Sequence, residues 1–92
     1  MNTPKFTLTG KVNYFQKHED GTYFMLLVHR TSNNEFFSYP VRYKGELPDM
    51  LETEFQDKPV ISAEGKLLSH EDNGKIVVKM YLTSFHILKA IL

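Results

Sequence analysis

Apolar and polar positions alternate along most of this chain, and one seven-residue form of the alternation occurs twice. Phe6, Leu8, Gly10 and Val12 frame the first copy, and Ile61, Ala63, Gly65 and Leu67 the second; both read apolar-x-apolar-x-Gly-Lys-apolar. A period of two is that of a half-buried strand, and it places each glycine on the inward face. Glycine weakens a strand, so at both positions it marks a bulge, a sharp bend or the close approach of another backbone.

Extended over the chain, the pattern predicts strands at residues 5–17, 22–31, 35–44, 60–70 and 75–88. In the first, Phe6, Leu8, Gly10, Val12 and Tyr14 face inward, and Thr7, Thr9, Lys11, Asn13 and Phe15 outward. The second has Phe24, Leu26 and Val28 inward, with Tyr23, Met25, Leu27 and His29 outward. The third has Phe37, Tyr39 and Val41 inward, with Phe36, Ser38, Pro40 and Arg42 outward. Pro40 cannot donate to a ladder, so this strand is an edge or is broken there, and Tyr43 is left open to either face. The fifth has Ile76, Val78, Met80 and Leu82 inward, and Val77, Lys79, Tyr81 and Thr83 outward. Gly21 supplies the first turn with a residue free to take positive φ, and Asn73 followed by Gly74 suits a type I′ hairpin. Residues 46–56 change period: Leu47, Met50, Leu51 and Phe55 share one helical face, Pro48 fits the first turn, and the stripe reads as a plug or lid. Two kinked strands flanking a short helix predict a small, closed, five-stranded barrel.

Composition narrows the function. At 92 residues, 41% of them hydrophobic, the chain is one folded domain spanning residues 1–92. It has no cysteine, which excludes a disulfide framework, a thiolate metal site and a cysteine nucleophile. Its four histidines show no metal-ligand spacing, and there is no glycine-rich phosphate loop or nucleophile motif. The expectation is a protein that is not an enzyme and needs no cofactor or metal. The first residues lack the apolar run of a leader and no segment is long enough to span a bilayer, so a cytoplasmic location with no membrane contact is expected.

Eleven basic and eleven acidic residues give zero net charge, which by itself argues against nucleic acid. The distribution qualifies it. Nine acids fall in the predicted turns and the middle connector, whereas Lys5, Lys11, Arg30, Arg42, Lys66, Lys75 and Lys79 lie on or beside strands. A locally positive sheet is compatible with a neutral total. Solvent-facing decoration accounts for many of these lysines equally well.

The order of strands and motifs resembles the single-stranded DNA-binding proteins of bacteria and their phages. Phe6, Leu8, Gly10 and Val12 match the opening strand of that family's oligonucleotide/oligosaccharide-binding (OB) barrel. Residues 24–30 resemble its second strand, Glu35 followed by Phe36 the start of its third, and residues 61–67 its fourth. Primosomal accessory proteins share the domain and are matched as well. The resemblance implies an all-β OB barrel with one helix between strands three and four, binding single-stranded DNA without sequence preference in replication or recombination. The chain departs from the pattern in lacking tryptophan and an acidic tail, so tail-mediated recruitment of other proteins is not expected. The alternative is an OB accessory subunit that mainly binds another replication protein.

Single-strand binding needs flat side chains for bases and cations for phosphates. Phe15, Tyr23, Phe36 and Tyr81 are the outward platforms by this reading, with Met25 a softer surface, and the twelve aromatic residues exceed what the inward faces use. Tyr23 and Tyr81 could instead pack beneath the C-terminal segment or in a subunit interface. The candidate phosphate contacts are Lys11, Arg30, Arg42, Lys66, Lys75 and Lys79. By resemblance, Phe36 matches the family's aromatic after the acid in strand three. Ile87, Leu88, Ala90, Ile91 and Leu92 are an apolar terminal cluster that implies a homodimer or homotetramer, or else extends strand five onto the chain's own helix.

Overall fold

A computed structural model of the chain describes residues 3–88. It contains β1 (Lys5–Lys17), β2 (Tyr23–Arg30), β3 (Phe36–Tyr43), α1 (Asp49–Gln56), β4 (Val60–Asp72) and β5 (Lys75–Leu88). The strands close in the order β1-β2-β3-β5-β4, with α1 between β3 and β4, so the expected five-stranded OB architecture is present. Closure depends on β1, which serves two neighbours: from Lys5 to Lys11 it pairs with β4, and from Lys11 onward with β2.

The repeated glycines sit where β1 and β4 are most crowded. A Cβ on Gly65 would collide with the Tyr81 carbonyl oxygen of β5 and come within 2.5 Å of the Phe6 ring. One on Gly10 would lie 3.0 Å from the Val28 carbonyl oxygen of β2. Close approach of a second backbone is therefore why both strands carry glycine. Asn73 and Gly74 both take positive φ, 52° and 80°, and join β4 to β5 as the sequence predicts.

Two bulges determine which side chains enter the barrel. Val12 pairs with Leu27 but Tyr14 with Leu26, so Asn13 is an extra residue in β1. Beyond it the faces exchange: Tyr14 turns outward, 44% exposed, and Phe15 packs against the core. In β5, Gly65 pairs with Leu82 but Glu64 with Ser84, so Thr83 is extra and the odd-numbered Phe85 and Ile87 turn inward.

The first bulge also sets β2. Tyr23, Met25 and Leu27 are 2%, 0% and 0% exposed, while Phe24, Leu26 and Val28 are on the outer face. This reverses the sequence expectation for β2. Residues 23–28 are all apolar, so alternation within the strand has no phase to read, and the phase comes from its neighbour. Strand β3 has its expected phase. It bonds to β5 only at Val41 and Arg42, so it is an edge over residues 36–40, which accommodates Pro40.

The core gathers Val12, Tyr23, Met25, Leu27, Val41, Leu47, Phe55, Ile61, Ala63 and Leu82. Helix α1 starts one residue after Pro48, whose carbonyl accepts from the N–H groups of Leu51 and Glu52. It contributes Phe55, fully buried; Met50, expected on the same face, is 76% exposed. Ile76 and Val78 share the inward parity of β5, yet lie where the β4–β5 hairpin has left the barrel, and are 78% and 59% exposed. Ile87 packs against the core and Leu88 is 47% exposed; Ala90, Ile91 and Leu92 lie outside the described residues.

Tyr23 fastens the helix to the barrel. Its hydroxyl donates to Glu52 Oε1 at 2.5 Å, and Lys17 Nζ stands 3.7 Å from the same oxygen. The bond to Glu52, then burial, hold the phenol above its ordinary pKa of 10.0. Its stabilisation is therefore full below that value and is lost as pH rises through the raised one. Tyr23→Phe should cost about 1 kcal/mol in urea unfolding at neutral pH, with the difference between the two proteins shrinking in alkaline solution.

Candidate nucleic-acid interface

The exchange of faces at Asn13 creates an aromatic platform on the outer sheet surface. Phe24 lies at its centre. The Tyr14 ring meets it edge-on, centroids 6.1 Å apart at 68°, and the His18 ring lies nearly parallel at 6.1 Å and 18°. The Arg42 guanidinium sits 5.3 Å from the Phe24 centroid. With Gln16 and Leu26 these side chains line a shallow depression of about 400 Å³.

A second platform lies at the other end of β2. Phe36 is 59% exposed, with the Arg30 guanidinium 4.6 Å from its ring. The register joins the two sites, because Arg30 pairs with Phe36, Val28 with Ser38, Leu26 with Pro40 and Phe24 with Arg42. Phe24 and Arg30 are six steps apart along β2, about 20 Å at a strand's rise. Lys11 pairs with Val28 and flanks the middle of this lane.

The Phe24 end continues across the barrel. Arg42 pairs with Tyr81 of β5, Tyr81 with Lys66 of β4, and Lys66 with Lys5 of β1. Lys44 Nζ lies 4.9 Å from the Tyr81 centroid. One row across the outer surface thus holds two aromatic rings, Phe24 and Tyr81, with Arg42 between them and lysines beyond. A cation beside an aromatic face is the pairing that stacked bases and their phosphates require.

The structure therefore brings together Lys11, Arg30, Phe36, Arg42, Lys66 and Tyr81 of the sequence-expected residues. Lys79 follows on the outward side of the hairpin, opposite Leu68, and Lys75 lies at the hairpin tip, opposite Asp72. Three expectations are corrected. Tyr23 and Met25 are in the core because β2 has the opposite phase, and Phe15 is turned by the Asn13 bulge to pack, partly buried, against that core, so none of the three belongs to the outer platform. Sequence reasoning missed Tyr14, His18, Phe24 and Lys44. A signal for Phe24 was present: it has the parity of Arg30, so facing that charge outward also faces Phe24 outward.

The barrel and its outer sheet define an OB-class module with a basic, aromatic surface. No protein-family model and no curated protein matches the chain. Solved structures do match it in fold. The mitochondrial single-stranded DNA binding protein Rim1 of S. cerevisiae aligns at a TM-score of 0.70 and 12% identity over 97% of this chain and 98% of that one. A small single-stranded DNA binding protein from Mycoplasma pneumoniae aligns at 0.68 and 16% identity, over 100% and 99%. The dimeric N-terminal domain of PriB from Thermoanaerobacter tencongensis aligns at 0.62 and 16% identity, over 95% and 98%. The likeness in fold to these proteins agrees with the resemblance read from the sequence.

Proposed function

We propose that this chain binds single-stranded DNA without sequence preference, as a cytoplasmic protein of replication or recombination, and acts by binding rather than by catalysis. The observation that carries the reading is the pair of outward rings on one sheet face, the half-buried Phe24 with Arg42 and the exposed Phe36 with Arg30, joined by one register. Bases stack on the rings and the guanidinium groups meet the phosphates. The lane between is apolar, so it favours flat base faces over particular base edges, which is why no sequence preference is expected. That single-stranded DNA-binding proteins and PriB share the fold supports the same reading.

Titrating a labelled oligo-dT against a duplex of equal length, at several salt concentrations, tests it. Single strands should bind more tightly, because a duplex hides the base faces. With Lys5, Lys11, Arg30, Arg42, Lys44 and Lys66 on this face, log affinity should fall against log salt with a slope no steeper than about −4. Equal affinity for duplex, or no binding in low salt, defeats the reading.

The exposed apolar residues of the projecting hairpin support assembly of the chain into a homodimer or homotetramer. Ile76 and Val78 stand out from the barrel, and Phe37 is 44% exposed. Such side chains gain by burial against another copy, or against the replication protein of the accessory-subunit reading. Light scattering at tens of micromolar should give at least twice the chain mass of 10.7 kDa. A monomer would remove the homo-oligomer and favour the heterologous partner.

A further inference from the structure

We infer that one bound strand turns a corner on this barrel: it follows the β2 lane from Phe36 to Phe24, then crosses the strands over Tyr81 to a basic end site at Lys66 and Lys5. The inference rests on the binding role proposed above and adds a second arm to that site. Residues paired across a sheet share a face, so Phe24, Arg42, Tyr81, Lys66 and Lys5 form one outward row through all five strands. Four strand spacings make the row about 19 Å long, close to the length of the lane it meets at Phe24. The row repeats the chemistry of the lane. Lys44 Nζ stands 4.9 Å from the Tyr81 centroid, as Arg42 stands 5.3 Å from that of Phe24 and Arg30 4.6 Å from that of Phe36. Beyond Tyr81 the surface is concave. Lys44, Lys66, Tyr81 and Thr83 line a recess of about 150 Å³, and Lys66 and Thr83 also line a second, of about 390 Å³, together with Lys5. Glu64 borders the second recess and repels phosphate, which sets the far end of the arm at the Lys66–Lys5 pair. Lys5, Lys44 and Lys66 are exposed. A strand confined to the lane would meet only Lys11, Arg30 and Arg42, and these three would go unmatched by phosphate.

Oligo-dT of two lengths tests the corner: about five nucleotides, enough for one arm, and about ten, enough for both, each within the range of about 4–16 that an OB barrel covers. Both are titrated against the full chain, Tyr81→Ala and the double variant Lys5→Gln/Lys66→Gln, with a thermal melt of each protein. The slope of log affinity against log salt should steepen from about −2 for the short strand to about −4 for the long one, as three further cations meet phosphate. Tyr81→Ala should weaken the long strand at least about fivefold and the short one less than about twofold. The lysine variant changes two exposed side chains, so it remains informative if Tyr81→Ala melts early. It should make the long-strand slope shallower by about 1.4 and leave the short-strand slope unchanged. Equal losses at both lengths, or a long strand insensitive to both folded variants, overturns the inference and leaves the β2 lane as the binding site. Failure of the folded parent chain to bind either strand overturns the binding role, and this inference with it.

Discussion

Phe24→Ala should weaken single-strand binding by about 1–3 kcal/mol, roughly five- to 150-fold, while the domain still melts cooperatively. The size follows from what surrounds the ring. Tyr14, His18 and Arg42 all pack around Phe24, so truncation removes the stacking surface together with the support that positions the guanidinium. Phe24→Leu separates these effects: it keeps apolar volume and removes the π-face, and it should recover little of the loss. Phe36→Ala should act in the same direction. Because the two platforms lie about 20 Å apart along β2, losses in the double variant should add to within ~0.5 kcal/mol. Fluorescence anisotropy with oligo-dT measures all four proteins. Unchanged affinity in the folded double variant would move the binding surface elsewhere, with the Tyr81, Lys44 and Lys66 cluster the first place to look.

The architecture was legible in the sequence because its determinants are local. Gly10 and Gly65 mark crowded crossings, Asn73 and Gly74 a hairpin, and residues 46–56 a change of period, and each is a property of a few consecutive residues. The phase of β2 is not local. Six apolar residues in a row fit either face, and an unremarkable asparagine in β1 decides between them by adding one residue to the ladder. That bulge exchanged Tyr14 for Phe15, and the phase it sets in β2 exchanged Phe24 for Tyr23. Phe36 and Arg42 were placed on the outer face, where the structure has them, because β3 mixes polar with apolar residues and has no bulge. The apparent surplus of aromatic residues also has an interior explanation. Tyr23, Phe15, Phe55, Phe85 and Tyr43 form a closed circuit of ring contacts, with neighbouring centroids between 5.2 and 6.4 Å apart.

That circuit makes Phe55→Ala the most damaging single truncation expected in this domain, at about 3–5 kcal/mol. Phe55 is fully buried, stacks on Phe15 at 5.2 Å and meets Phe85 edge-on at 5.3 Å. It is the one fully buried residue of α1, with Leu51 partly buried beside the core, so the ring also holds the helix on the barrel. Its removal leaves a cavity bounded by strands that the hydrogen-bonded barrel prevents from collapsing inward. A domain of this size has roughly 5–15 kcal/mol of total stability, so the loss is a large share of it. At about 4–8 °C per kcal/mol, the melting temperature should fall by at least ~12 °C. Below the new transition the variant should still bind single strands, because Phe55 lies inside the barrel and the Phe24 platform on its outer face. A calorimetric melt and a low-temperature titration of Phe55→Ala, read beside those of Phe24→Ala, should therefore give opposite patterns: stability lost with affinity kept, and affinity lost with stability largely kept. If Phe55→Ala melts like the parent chain, the helix does not plug the barrel as described. If it stays folded but loses binding, the interior circuit and the outer platform are coupled through β1, where Tyr14 and Phe15 are adjacent.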